Sequence, residues 1–240
     1  MRHCPVFFDF TESALLVDFG AGHDKALSLE ILDLSERLMQ AGLLGLTECI
    51  PALSSLTVLY DPLQLPRERL AEEIELLNRS GQAVEDRGQS WEIPVVYGGE
   101  RGPDLKEVAA HAGLSEGQAA ELHASPLYRV YMLGFLPGFA YLGDLPEPLR
   151  MPRRKTPRPR IPAGSVAIAA DMTAVYPLES PGGWHAIGSA PLTLWDMARE
   201  DEPLLKPGDR VRFVPISEAE AEALRAKAAA GWRPEPVKEA

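Results

Sequence analysis

Residues 128–143 read YRVYMLGFLPGFAYLG, and the change of texture they introduce decides the fold. A short run of β-formers, 128–133, gives way to glycine and proline alternating with aromatic residues. Glycine admits positive φ and close backbone approach, whereas proline fixes φ and removes a donor, so the mixture builds a rigid, aromatic-walled loop. Two readings of that loop stay open: the rim of a pocket, or a barrel corner whose rings fill the core. Further short β-like runs follow at 164–169, 175–176, 185–187 and 211–216, each broken by Gly or Pro. Short strands with such punctuation predict a β-barrel or sandwich. An Ala- and Glu-rich helix is expected over 217–230, and a frayed tail over 233–240.

Upstream of this region the periodicity changes. A strand is expected at 91–97, followed by two short helices, 104–112 and 115–124. Pro103-Asp104 supplies capping chemistry for the first, and Ser115 with Gln118 three residues later supplies it for the second. The polar stretch 80–90 has no apolar periodicity and marks a domain boundary. Before it the order is strand, strand, helix, strand, strand, helix. One helix carries Leu27, Ile31, Leu34 and Leu38 at helical spacing with Asp24 as N-cap, and another opens at Pro66 with Leu70, Ile74 and Leu77 on one face. Strands are expected at 14–19, 47–50 and 56–60.

The chain has 240 residues, 45% hydrophobic and 25% charged, which suffices for a sizeable core without disulfide or metal. A formal net charge of −11 repels phosphate backbones and anionic lipid, so neither nucleic acid nor membrane is an expected partner. Cys4 and Cys49 are far apart and read as buried small hydrophobes in a reducing compartment. The first twenty residues lack a signal-peptide h-region, and a cytoplasmic location is expected. No P-loop, nucleophile elbow or zinc spacing occurs, so no metal is expected.

Within this acidic chain the run 150–160, RMPRRKTPRPR, stands out. Prolines keep it extended, and its guanidinium groups suit either an anionic ligand or the protein's own carboxylates. Gly182-Gly183-Trp184 sets flexible backbone beside a flat ring, which fits close approach of a small molecule or a hairpin turn.

Taken in order, Tyr97-Gly98-Gly99, Gly102-Pro103-Asp104-Leu105, Tyr131 to Phe139, Pro152-Arg153-Arg154 with Pro157-Arg158, Pro162 to Val166, Tyr176-Pro177 and Ser180 to Trp184 resemble the allophanate hydrolase subunit 1 family. That family includes the kinase inhibitor KipI and the B-type component of 5-oxoprolinase, and the chain is most similar there to the latter. The resemblance runs from about residue 91 to 216, more loosely before. It implies an α+β protein: a small α/β-sandwich N-terminal domain, 1–85, a cyclophilin-like β-barrel domain, 90–216, and a C-terminal helix and tail, 217–240.

It further implies a subunit of an ATP-dependent amidohydrolase opening 5-oxo-L-proline to L-glutamate, inactive alone. The partners would be a C-type subunit, similar to allophanate hydrolase subunit 2, and an A-type subunit, with ATP bound by the complex rather than by this chain alone. Alternatives are a KipI-like inhibitor of a sensor histidine kinase, or a subunit of another amide- or urea-processing hydrolase or carboxylase. Carried over position by position, His123 is the candidate acid–base residue. Phe135, Tyr141 and Trp184 would be walls, Arg153 and Arg158 anion holders, Ser165 and Ser180 donors, and Gly138, Gly182 and Gly183 points of close approach. The chain departs from the family pattern at Ala170 to Ala174, where Gly-Gln-Thr-Gly is usual, and at Gly188-Ser189-Ala190-Pro191, where Gly-Arg-Thr-Pro is usual. Those departures leave the identity of the cyclic amide open.

Overall fold

The computed structural model describes residues 3–20, 22, 24–81, 86–196 and 203–237. Residues 82–85 of the expected boundary stretch and 238–240 of the expected tail lie outside the described residues. The chain divides into two compact units, 1–87 and 88–240.

In the first unit, strands β1 (Val6–Thr11), β2 (Ala14–Asp18), β3 (Leu46–Pro51) and β4 (Ser55–Tyr60) form an antiparallel sheet in the order β1-β2-β4-β3. Helices α1 (Lys25–Gln40) and α2 (Arg67–Ser80) cover one face. Strand side chains alternate between faces, so Leu15, Val17, Leu56 and Val58 point the same way and meet Leu27, Ile31, Leu34, Leu38, Leu70 and Ile74. These residues are the predicted apolar stripes, and burying them against one another holds the two layers together. Asp24 caps α1, accepting a hydrogen bond from the Leu27 amide at 2.8 Å.

The second unit contains β5 (Ser90–Tyr97), α3 (Leu105–Ala112), α4 (Glu116–Ala124), β6 (Tyr128–Leu133), β7 (Ala140–Gly143), β8 (Arg158–Ile161), β9 (Ser165–Ala169), β10 (Met172–Val175), β11 (Ser180–Gly182), β12 (His185–Ser189), β13 (Arg210–Pro215) and α5 (Glu218–Ala229). Among the described residues, seven strands close into a barrel in the order β10-β7-β6-β13-β5-β12-β9, with β9 returning to β10. Only the β5–β13 pair is parallel in that barrel; β8 and β11 make a separate two-stranded ribbon. The barrel is filled, not hollow: Trp91, Ile93, Val95, Tyr128, Val130, Val166, Ile168 and Phe213 pack in one cluster. The expected α+β architecture, helices beside a sheet and then a barrel, is therefore what the chain adopts.

Several local expectations change. The loop expected after Leu133 contains β7, because Ala140 and Tyr141 pair back onto Leu133 and Met132 once Gly138 (φ 75°) has turned the chain. The strand expected at 175–176 lies earlier, at Met172–Val175, and β8 and β11 were not expected at all. Ser115 and Gln118 form the predicted capping box on α4. Asp104 stands at the start of α3 but makes no side-chain cap there, since its carboxylate is engaged elsewhere. The tail expected to fray is tied at Val237, whose amide donates to the Ser90 carbonyl at 2.8 Å. Among the described residues no helix is long and apolar enough to cross a membrane.

Candidate functional site

Three groups of residues in the second unit stand out, and burial separates them. The deepest is His123, in the last turn of α4 and without solvent exposure. Its ring packs 4.7 Å from Phe213 and 5.4 Å from Tyr128 between centroids. Both ring nitrogens are engaged. The Thr173 hydroxyl donates to the Ala167 carbonyl, so it must accept from His123 Nε2–H at 2.8 Å, which leaves Nδ1 to accept from the Tyr97 hydroxyl at 2.7 Å. Burial lowers the His123 pKa to about 3, because the imidazolium would lose its hydration with no carboxylate to replace it. Burial also raises the Tyr97 phenol. His123 is thus a neutral pillar between α4 and the barrel strands, with no surface on which to meet a substrate.

The second group centres on Asp104, 3% exposed at the mouth of α3. Arg158 reaches it with both terminal nitrogens, at 2.5 and 2.7 Å, and Arg154 with one at 2.8 Å. The Ala186 amide donates to it at 2.8 Å, and the backbones of Asp104 and Ala186 pair again at 2.9 Å. Four donors on one carboxylate fix the basic run 150–160 against α3 and β12. Hydrogen bonding to Asp104 raises the Arg158 pKa further, so Arg158, expected as an anion holder, holds the protein's own anion. Glu107 and His185 bring ligand atoms within 4.8 Å of Asp104, whose carboxylate is already paired with two guanidinium groups.

The third group is an aromatic wall. Phe139 contacts Phe135, Tyr141, Tyr176 and Trp184 edge-on at centroid distances of 5.5, 4.9, 5.1 and 5.8 Å, and Tyr141 meets Trp184 at 5.8 Å. Phe135 projects from a left-handed backbone (φ 68°) and is 61% exposed. Gly182 is required here: a Cβ on it would lie 2.4 Å from the Tyr176 hydroxyl. Gly138 cannot carry one either, since it would come 2.8 Å from Trp195 Cβ. The Gly183 carbonyl accepts from the Arg154 amide at 2.7 Å and so sets Trp184 beside the basic run.

Arg153 lies next to this wall. Burial raises the phenols of Tyr141 and Tyr176, the latter to about 12, and the charge of Arg153 opposes both shifts. Among the described residues neither Arg153 nor Lys155 has a carboxylate at salt-bridge distance. They border a groove of about 340 Å³ lined also by Glu107, Met151, Arg154 and His185. A second groove, about 260 Å³, is lined by Arg101, Arg158, Arg160, Ser165 and Ser189 among others.

The structure therefore gathers Phe135, Gly138, Tyr141, Arg153, Gly182, Gly183 and Trp184 in one place. His123 sits in the barrel interior, Arg158 is bound to Asp104, and Ser165 opens on the second groove. Ser180 is 7% exposed, and its hydroxyl has no partner among the described residues. Sequence reasoning treated Asp104 as a helix start and His185 as part of a strand. A lone acid in front of a basic run was the available signal for Asp104; nothing in the spacing marked His185.

Several known proteins are similar to this chain over most of its length. The model of the carboxyltransferase domain, subdomains C and D, matches residues 5–205. The B-type component of 5-oxoprolinase from Escherichia coli O157:H7 is 47% identical over 210 residues, covering 86% of this chain and 94% of that protein. Its counterpart from Bacillus subtilis strain 168 is 39% identical over 227 residues, covering 89% and 94%. A crystal structure of TTHA0988 superposes with a TM-score of 0.75 at 43% identity, covering 85% of this chain and 40% of that one. A family match over most of the chain, together with relatives this similar over nearly their whole length, shows that the chain belongs to the carboxyltransferase-domain family of subdomains C and D.

Proposed function

We propose that this chain is the B-type component of an ATP-dependent 5-oxoprolinase, acting with A-type and C-type subunits to open 5-oxo-L-proline to L-glutamate. The observation that carries the reading is Arg153, which among the described residues has no carboxylate at salt-bridge distance and stands beside the half-buried ring of Tyr141, itself backed by the buried Phe139 and Trp184. A small, nearly flat ring bearing a carboxylate meets both requirements: an apolar face for the Tyr141 ring and an anion for the guanidinium. The names of the E. coli and B. subtilis relatives support the same role.

The chemistry explains the need for partners. A lactam is resonance-stabilised and a poor electrophile, so phosphoryl transfer from ATP to its oxygen would precede attack by water. This chain has no P-loop, and ATP is held by the complex. The residues of this chain hold and orient the substrate: Arg153 takes the carboxylate, and Tyr141 covers one face of the ring. His123, buried with both nitrogens in use, supports the barrel and exchanges no proton with the substrate.

Co-expressed with its A-type and C-type partners, the chain should support ATP-dependent release of glutamate from 5-oxo-L-proline, and none should appear with this chain alone. Arg153→Gln in that complex should lower kcat/KM by about 100-fold, the loss expected for one charge-assisted contact made to the substrate. A complete complex that turns over other amides but not this lactam would overturn the assignment. Recovery of a histidine kinase, rather than these subunits, on affinity purification would favour the inhibitor role.

A further inference from the structure

Strands β9 and β12 bring two serines together on the outside of the barrel. Ser165 opens β9, Ser189 closes β12, and the two are direct partners in the antiparallel register. Side chains of directly opposite residues stand on one face, with Cβ atoms about 4.5–5.5 Å apart. Val166 and Ile168 belong to the barrel cluster, so Ser165 turns outward. The Ser189 hydroxyl lies 3.6 Å from the position a Cβ would take on Gly164, the residue just before Ser165. Both serines line the groove of about 260 Å³. Neither hydroxyl has a hydrogen-bond partner among the described residues, and neither oxygen is sealed from solvent. Two neighbouring donors are thus free on the wall of one groove.

Cations share that groove. Arg101, Arg158 and Arg160 line it, with Glu100 as the one carboxylate among the lining residues. Arg101 meets Glu218 at 3.0 Å and Arg160 meets Glu179 at 2.7 Å, but both pairs are exposed to water and hold their guanidinium groups weakly. Arg158 gives Asp104 only its two terminal nitrogens.

We infer that this groove binds a phosphoryl group, carried by free orthophosphate or by a small phosphate monoester. The Ser165 and Ser189 hydroxyls donate to its oxygens, and Arg101 and Arg160 turn to it from their exposed partners. A phosphoryl group offers three strong acceptor oxygens and can take hydroxyl and guanidinium donors together, whereas a flat carboxylate is saturated by one guanidinium fork and leaves the serines unused. The net charge of −11 opposes a polyanion, and Glu100 disfavours a second charged group on the ligand, so a single phosphoryl group fits best. Ile161 and Pro162 add apolar surface for the organic part of an ester. The site does not depend on the role proposed for Arg153, which borders the other groove.

The test is an NMR titration of the intact chain with sodium phosphate, phenyl phosphate and acetate. A phosphate ligand should shift the amide resonances of Ser165 and Ser189 saturably at millimolar concentration, and acetate should bind at least about tenfold more weakly. Ser165→Ala with Ser189→Ala should weaken phosphate binding at least about tenfold. Arg160→Gln, at a side chain exposed enough for the fold to be indifferent to it, should weaken binding about threefold. Tighter binding of phenyl phosphate than of phosphate identifies a monoester as the ligand, and equal or tighter binding of phosphate identifies the free ion. Absence of saturable shifts with both phosphates, or unchanged affinity in the double serine variant, overturns the site. Acetate binding as tight as that of phosphate overturns the phosphoryl assignment. Any of these negative results would leave the 5-oxoprolinase role standing, because that role rests on Arg153.

Discussion

Arg158 and Arg153 lie in the same proline-punctuated run and are chemically identical, yet the fold gives them opposite tasks. Arg158 closes a bidentate pair on the buried Asp104, whereas Arg153 faces the aromatic wall with no carboxylate at salt-bridge distance among the described residues. The first region holds the protein together, and the second leaves its guanidinium without an anion among the described residues. Position decides this, through Asp104 and the Ala186 amide on one side and the Gly182-Gly183-Trp184 turn on the other. A basic residue is a candidate for ligand binding only after the acids of its own chain have been assigned.

The contrast can be broken most severely at Asp104. Replacing it, Asp104→Asn, leaves two partly buried guanidinium groups without their counter-ion and should lower stability by about 3 kcal/mol in urea unfolding; partial exposure of both arginines keeps the loss below that of a fully buried pair. An unchanged midpoint would mean that the anchor has no structural role.

The next effect belongs to His123. Its folded pKa, about 3, lies below the unfolded value of about 6.5, so the unfolded chain binds a proton that the native chain refuses. Stability therefore falls as pH drops through the unfolded pKa towards the folded one. Between pH 7 and pH 5 this residue should account for about 2 kcal/mol of the loss, and His123→Gln should remove that component from the urea midpoints. A pH dependence identical in the variant would place the effect elsewhere.

The smallest effect is expected at Arg153, where Arg153→Gln should shift stability by less than about 0.5 kcal/mol while lowering catalytic efficiency in the complex. A large stability loss would make Arg153 a second structural anchor and erase the distinction between the two arginines.

Much of the fold was legible. Leu27, Ile31, Leu34 and Leu38 recur at helical spacing and are buried, the capping box at Ser115 and Gln118 is formed, and 128–133 is a strand to the residue. These signals are local. Strand β8 was hidden because its Arg-Pro-Arg sequence reads as extended coil, and it becomes a strand only by pairing with β11. His123 looked like an acid–base residue because neutral pKa is a property of the free side chain, and burial replaced that property.

By itself, then, the sequence determined the alternation of helices and strands, the change of texture near residues 80–90, and the presence of an aromatic, glycine-rich segment beside a basic run, since periodicity, caps and turn chemistry all act within a few residues. Tertiary structure alone decided which arginine is bound by Asp104 and which has no carboxylate of its own, and that His123 is sealed in the barrel. Charge pairing and desolvation depend on groups brought together from about fifty positions away along the chain, as with Asp104 and Arg154.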